Sequence, residues 1–227
     1  MQLSWSQPCS WMIQLLLVSN LLLWECVVSI PMCLDIEGCN KLFLQELFDH
    51  AIVIAQYTSN LTTQMSEEFD ENFAKSLGYK ARNSSICHTT SLATLEINEQ
   101  IQQTQSDELL KVMISISRAW YHPLEHLVRA VAALKGTCET MLSKIKEVEE
   151  KNQELLEEMK RILVTVHPGA EENAYPAWMG LAEVRSANED THHFALSNLL
   201  HCLRSDNDKV VTYLEVVKCQ VIHNNNC

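Results

Sequence analysis

The stretch 196–227, LSNLLHCLRSDNDKVVTYLEVVKCQVIHNNNC, constrains the fold more than any other part of the chain. Leu196, Leu199, Leu203, Val210, Leu214, Val217 and Val221 recur at steps of three and four, with Asn207 holding the place between Leu203 and Val210. That is the period of an amphipathic helix of about seven turns, because an α-helix repeats every 3.6 residues and buries one stripe. Such a face must be covered by other helices. Cys202, Cys219 and Cys227 add a covalent constraint. A free thiol at Cys227 would be a liability in an oxidising medium, so Cys219 and Cys227 are expected to close a small loop, leaving Cys202 to a distant partner.

Three more stripes precede it. Phe48, Ala51, Ala55, Thr58, Leu61, Met65 and Phe69 predict a first helix over roughly 42–71. Residues 72–104 are polar and without sustained period, a long connection. Leu109, Met113, Ile116, Trp120, Leu124, Leu127, Val131 and Leu134 define a second helix, with a kink expected near the turn before Pro123. The connection 135–139 is short, so the second and third helices should be antiparallel neighbours. Met141, Ile145, Val148, Leu155, Met159, Ile162 and Val166 make the third, with Asn152 its polar member, and His167-Pro168-Gly169 ends it. After a second long connection, 167–186, Ser186 with Glu189 three residues on predicts a capping box for the last helix. Asn152 and Asn207 are expected at partly exposed edges of their stripes.

Two long connections and one short one between four helices describe an all-α, up-up-down-down four-helix bundle. A plain heptad coiled coil is the structural rival; it would not need Trp178, the long connections or cross-links. With five Gly and five Pro, turn signals are too few for a sheet protein.

Residues 12–24, MIQLLLVSNLLLW, are largely apolar but short for a bilayer span. Val27 and Ser29 place small residues where a signal peptidase reads, which predicts a signal peptide over 1–29 and one helical domain over 30–227. An uncleaved anchor is the alternative. Removing 1–29 takes away Glu25 and no base, so 17 basic residues face 28 acidic ones, a net charge of −11 against −12 for the full sequence. That balance argues against nucleic acid as a partner. The expected mature chain is secreted and not inserted in a membrane. Two sequons, Asn60-Leu-Thr and Asn83-Ser-Ser, are then candidate glycosylation sites, Asn83 in the polar connection and Asn60 on the first helix.

No reacting constellation is apparent. His122 and His126 lie four apart with Glu125 between them, whereas the zinc-protease motif needs Glu directly after the first His. His192, His193 and His201 are expected at the surface of the last helix. The carboxylates from Glu147 to Glu158 alternate with Lys and read as a solvated face. With no catalytic thiol, Gly-rich phosphate loop or nucleophile elbow, neither an enzyme, a metal site nor a cofactor is expected. A secreted carrier of a small molecule or metal would need polar groups inside the stripes, and only Asn152 and Asn207 qualify.

The run Cys202-Leu-x-x-Asp206, then Lys209, Tyr213, Lys218-Cys219 and the closing His-Asn-Asn-Asn-Cys, resembles the C-terminal helix of prolactins. Cys87-His-Thr-Thr-Ser-Leu-Ala-Thr, Ala119-Trp120 and Pro123-Leu124 resemble the segment that leads from the crossover cysteine into the second helix of that family. The similarity covers nearly the whole chain after about residue 30. It departs at Leu95 and at Cys138, where prolactins have proline.

Spacing alone leaves many pairings of the seven remaining cysteines open. The resemblance implies Cys33–Cys39, Cys87–Cys202 and Cys219–Cys227, the first of which separates prolactins from growth hormones. Cys138 is left over, either buried and inert or an intermolecular link on an otherwise monomeric protein. The resemblance further implies a hormone, akin to prolactins and their placental relatives, that dimerises a single-pass cytokine receptor of the prolactin-receptor type. One face would combine the first helix, first connection and last helix, with Arg204, Lys209 and Tyr213 at matching positions. The other would combine the first and third helices around a small residue, Ala133, where prolactins have glycine. Asp208 stands in place of His and Glu215 in place of Lys. Gln56 and Ser59 replace two histidines, and Val211 replaces an acid, so zinc- or pH-dependent binding is not expected at this face. A family member that has moved to another extracellular target is the alternative.

Overall fold

The structure, a computed structural model, describes residues 36–74, 87–92, 98–134 and 139–227. The chain divides into two compact units, 1–40 and 41–227. The first contributes only the opening of a helix to the described residues; all that follows concerns the second. Among the described residues every regular element is helical. The helices are α1 (Ile36–Phe69), α2 (Asn98–Gln103), α3 (Ser106–Ala119), α4 (Tyr121–Ala132), α5 (Glu139–Val166), α6 (Leu181–Val184) and α7 (Glu189–His223). The four long units, α1, α3 with α4, α5 and α7, form the up-up-down-down bundle.

The stripes supply the core. Phe48, Met65, Phe69, Met113, Leu127, Val131, Ile145, Met159, Leu196 and Leu214 are fully buried, and all were on the predicted faces. Burying one such side chain contributes roughly 1.5–3 kcal/mol, so the stripes dominate the stability of the bundle. Ile114, Leu163 and Leu200 join them from neighbouring helical positions, which widens each stripe. Asn152 and Asn207 are half-buried and satisfied by backbone: Asn152 donates to the Ser117 carbonyl at 2.9 Å, Asn207 to that of Leu203 at 2.8 Å.

The second long helix is broken where its proline requires it. Trp120 separates α3 from α4, three residues before Pro123. Pro123 has no N–H to offer the Ala119 carbonyl, its partner four residues back. That carbonyl accepts instead from His88 Nε2, at 3.2 Å. The first connection thus docks where the helix has lost a hydrogen bond. His88 belongs to a 3₁₀ turn, His88–Ser91, which the polar character of the connection did not foretell.

Helix ends follow local chemistry, with one correction. The cap of α7 is Asn188, not Ser186: its side chain accepts from the Thr191 N–H at 2.9 Å, and Glu189 and Asp190 occupy the first turn. Asn fills the site well because its short side chain reaches the N3 amide. The Ser186 hydroxyl accepts from the Asn188 N–H at 3.2 Å, bracing the cap rather than being it. At the other end Asn224 and Asn225 have φ of 51° and 63°. This left-handed turn, which Asn tolerates, brings Cys227 back to a disulfide with Cys219. A second disulfide joins Cys87 to Cys202 on α7. Cys33 and Cys138 lie outside the described residues, as do Asn83, the side chain of Cys39 and the predicted signal peptide.

Candidate functional site

The outer surface shared by α1 and α7 is polar and cross-linked. Gln56 Nε2 donates to Glu215 Oε1 at 3.1 Å, and Ser59 Oγ to Asp208 Oδ1 at 2.5 Å. One turn beyond, Lys218 pairs with Asp49. These contacts arise because residues three and four apart share a helix face, here Gln56 with Ser59 and Asp208 with Thr212 and Glu215. Arg204 lies half-buried on the same helix. Beside Glu215, α7 and α2 border a cleft of about 670 Å³, lined also by Gln102, Gln103 and Thr212. Gln220 bridges the two elements by donating to the carbonyls of Gln102 and Thr104 at 3.2 and 2.9 Å.

Beneath that surface sits a buried carboxylate. Asp206 has no exposed surface, although charged residues are seldom buried without partners. Its Oδ2 accepts from Trp120 Nε1 at 2.8 Å and from Thr89 Oγ1 at 2.7 Å. Lys209 Nζ stands 3.6 Å from Oδ1, which has no hydrogen bond. The His88 ring meets Trp120 edge-on, with centroids 4.8 Å apart. One carboxylate therefore ties the first connection, the broken second helix and the last helix together next to the Cys87–Cys202 disulfide. Burial depresses the pKa of His88, while the Ala119 carbonyl and the charge of Asp206 oppose the shift.

A second surface runs along α1 and α5. Tyr57 Oη donates to Glu147 Oε1 at 2.6 Å; that bond, then burial and the charge of Glu147, hold the phenol above its usual pKa. His50 lies 3.7 Å from Glu154 and 3.6 Å from Glu158, and Lys144 pairs with Glu68 at 3.1 Å. Val53 on α1 and Val164 on α5 are each 63 % exposed. Ala133, the C-cap of α4, is exposed and lies beside α6 and the start of α7, with Val184, Arg185 and His192.

The residues singled out from the sequence are thus distributed unevenly. Arg204 and Lys209 share α7, and Lys209 leans on Asp206. Tyr213 is a correction: with 1 % of its surface exposed it is part of the core, and a partner cannot touch its ring without unpacking the helix. Its position three residues after Val210 and four before Val217 puts it on the apolar stripe. Asn60 is exposed on α1, and the Thr62 hydroxyl of its sequon is buried against the Ser59 carbonyl at 2.9 Å. His122 and His201 are exposed as expected, whereas three others are half-buried. Of these, His126 stacks on Trp178, His193 packs on Phe73, and His192 donates from Nδ1 to the Val184 carbonyl at 2.6 Å. Sequence reasoning missed Asp206 as a node and the pairing of Gln56 and Ser59 with the acids of α7.

A four-helix bundle with two long crossovers in up-up-down-down order is the architecture of helical cytokines. The sequence model of the Somatotropin hormone family matches residues 16–227, and the chain belongs to that family. Members of the family are hormones rather than enzymes, and they act outside the cell through cytokine receptors. No helix among the described residues is long and apolar enough to cross a membrane.

Proposed function

We propose that the protein is a secreted prolactin-type hormone that joins two chains of a single-pass, prolactin-receptor-type cytokine receptor. The observation that carries this is the α1–α7 face, on which Arg204 and Lys209 border the paired acids Asp208 and Glu215. Cationic side chains that are half-buried, and so partly ordered before binding, make effective interface anchors. Tyr213 supports the face from within, by fixing the helix on which the anchors stand.

The second face uses α1, α5 and Ala133. Exposed Val53 and Val164 supply apolar contact, and a small residue at 133 allows close approach. The alternative, a family member directed to another extracellular target, draws support from the acids at 208 and 215, where prolactins carry bases. Cleavage after Ser29, glycans on Asn83 and Asn60, a Cys33–Cys39 bridge and a monomeric state with Cys138 as a possible link complete the proposal.

Ala133→Arg tests the two-face account, because it adds bulk and charge at the small residue of the second face while leaving the α1–α7 face unchanged. Size-exclusion chromatography with light scattering, using the prolactin-receptor ectodomain, should give a 1:2 complex for the parent and a 1:1 complex for the variant. A 1:2 complex from both would remove Ala133 from any receptor contact.

A further inference from the structure

A cavity of about 380 Å³ lies between α4, α6 and the start of α7, apart from the α1–α7 face. Its walls include Arg129, Arg185, His126, His192 and Ser186, and no carboxylate. This is unexpected on a chain of net charge −12. Acids outnumber bases so heavily that a pocket wall with two guanidinium groups, two imidazoles and no carboxylate is a local departure from the charge of the whole molecule.

One guanidinium of the cavity carries an ion pair and the other does not. Arg185 closes α6 and is exposed, with no ion pair to a carboxylate of the described residues. Arg129 is held by Glu125, one turn away on α4, at 2.5 Å. His192 donates from Nδ1 to the Val184 carbonyl, which fixes the ring at the wall of the cavity, and His126 is fixed by its stack on Trp178. The Ser186 hydroxyl accepts from the Asn188 amide and keeps its own proton to donate. Burial and then the charge of Arg185 lower the pKa of His126, Glu125 opposes the shift, and Arg129 adds a smaller lowering.

We infer that this cavity is a binding site for a sulfate- or phosphate-ester oxyanion. Two guanidinium forks match the tetrahedral oxygens of such a group, and a hydroxyl supplies a further donor. Ala133 lies on its wall as well as on the proposed second receptor face, but none of the five donor side chains belongs to either face, so the test below does not depend on receptor binding. An oxyanion has to compete with Glu125 for Arg129, which makes Glu125 the internal antagonist of the ligand.

Calorimetric titration of the full chain with glucose 6-sulfate and with glucose 6-phosphate, at fixed ionic strength in chloride buffer, tests the site. Saturable one-site binding of either ester is expected. Arg185→Gln and Arg129→Gln should each weaken it by about tenfold or more, as loss of a charge-assisted hydrogen bond does, and Glu125→Gln should tighten it. Preference for the sulfate ester assigns the site to sulfated glycans, preference for the phosphate ester to phosphorylated ligands, and either supports it. Absence of binding by both esters up to about 10 mM, well above the affinity of any useful site, would overturn the proposal. So would affinities left unchanged by both arginine substitutions.

Discussion

Gln56 Nε2 donates to Glu215 Oε1 across 3.1 Å, joining two positions at which the chain departs from the prolactin pattern. Ser59 and Asp208 repeat the relationship one turn further along α1 and two turns back along α7, at 2.5 Å. Each substitution of a histidine on α1 therefore faces an acid on α7. The departures come as donor–acceptor pairs, an amide or hydroxyl on α1 against a carboxylate on α7.

The pairing makes a chemical prediction. Gln56 and Ser59 are three residues apart on one helix face, each within hydrogen-bonding distance of a carboxylate. Replacing both by histidine, Gln56→His with Ser59→His, should create a site of two imidazoles and one of the facing carboxylates, a donor set that zinc accepts. Competition titration with a zinc-sensitive dye should show a site in the double variant that the parent lacks. Equal zinc uptake by parent and variant would mean that α1 and α7 do not present these side chains to each other.

Asp206 should prove costly to remove. Asp206→Ala leaves the Trp120 indole N–H and the Thr89 hydroxyl without their acceptor and removes the carboxylate 3.6 Å from the Lys209 ammonium. Stranded buried donors cost about 1–3 kcal/mol each, so urea unfolding should show a loss of roughly 2–5 kcal/mol. Trp120 fluorescence should change in the folded variant. A loss below about 0.5 kcal/mol, the ordinary range for a surface change, would contradict the network.

His88 makes stability depend on pH with a definite sign. Its folded pKa is depressed, chiefly by burial, below the 6.5 of an ordinary histidine. In the window below that value the unfolded chain binds more protons than the folded one, so stability is full above it and falls as pH drops toward the folded pKa. His88→Gln should flatten that part of the stability–pH curve while keeping a side-chain donor for the Ala119 carbonyl. An identical slope in both proteins would assign the pH dependence to other groups.

How much of this was legible in advance differs by element. The four helices were, because period 3.6 survives wherever one face is buried, and Pro123 announced the break at Trp120. Asp206 and Tyr213 were not, although 203, 206, 210, 213, 214 and 217 share one face. A charged residue and a phenol on an apolar stripe read as exposed until their buried partners are known, and Trp120 and Thr89 are far away in sequence. The α7 cap moved from Ser186 to Asn188 because both residues are good caps, and only the path of the chain after α6 decides between them. The cavity of Arg129 and Arg185 had no local signature at all; two elements distant in sequence must meet before it exists.

Receptor affinity tests the central claim most directly. The protein and its Glu215→Lys variant should be titrated against immobilised prolactin-receptor ectodomain, each with and without zinc. The account predicts saturable binding by the parent that zinc does not alter. It also predicts tighter binding by the variant, by about tenfold, since the charge at 215 becomes the one prolactins present to this receptor. Absence of saturable binding by both proteins, affinity unchanged by Glu215→Lys, or binding by the parent that zinc strengthens would contradict it.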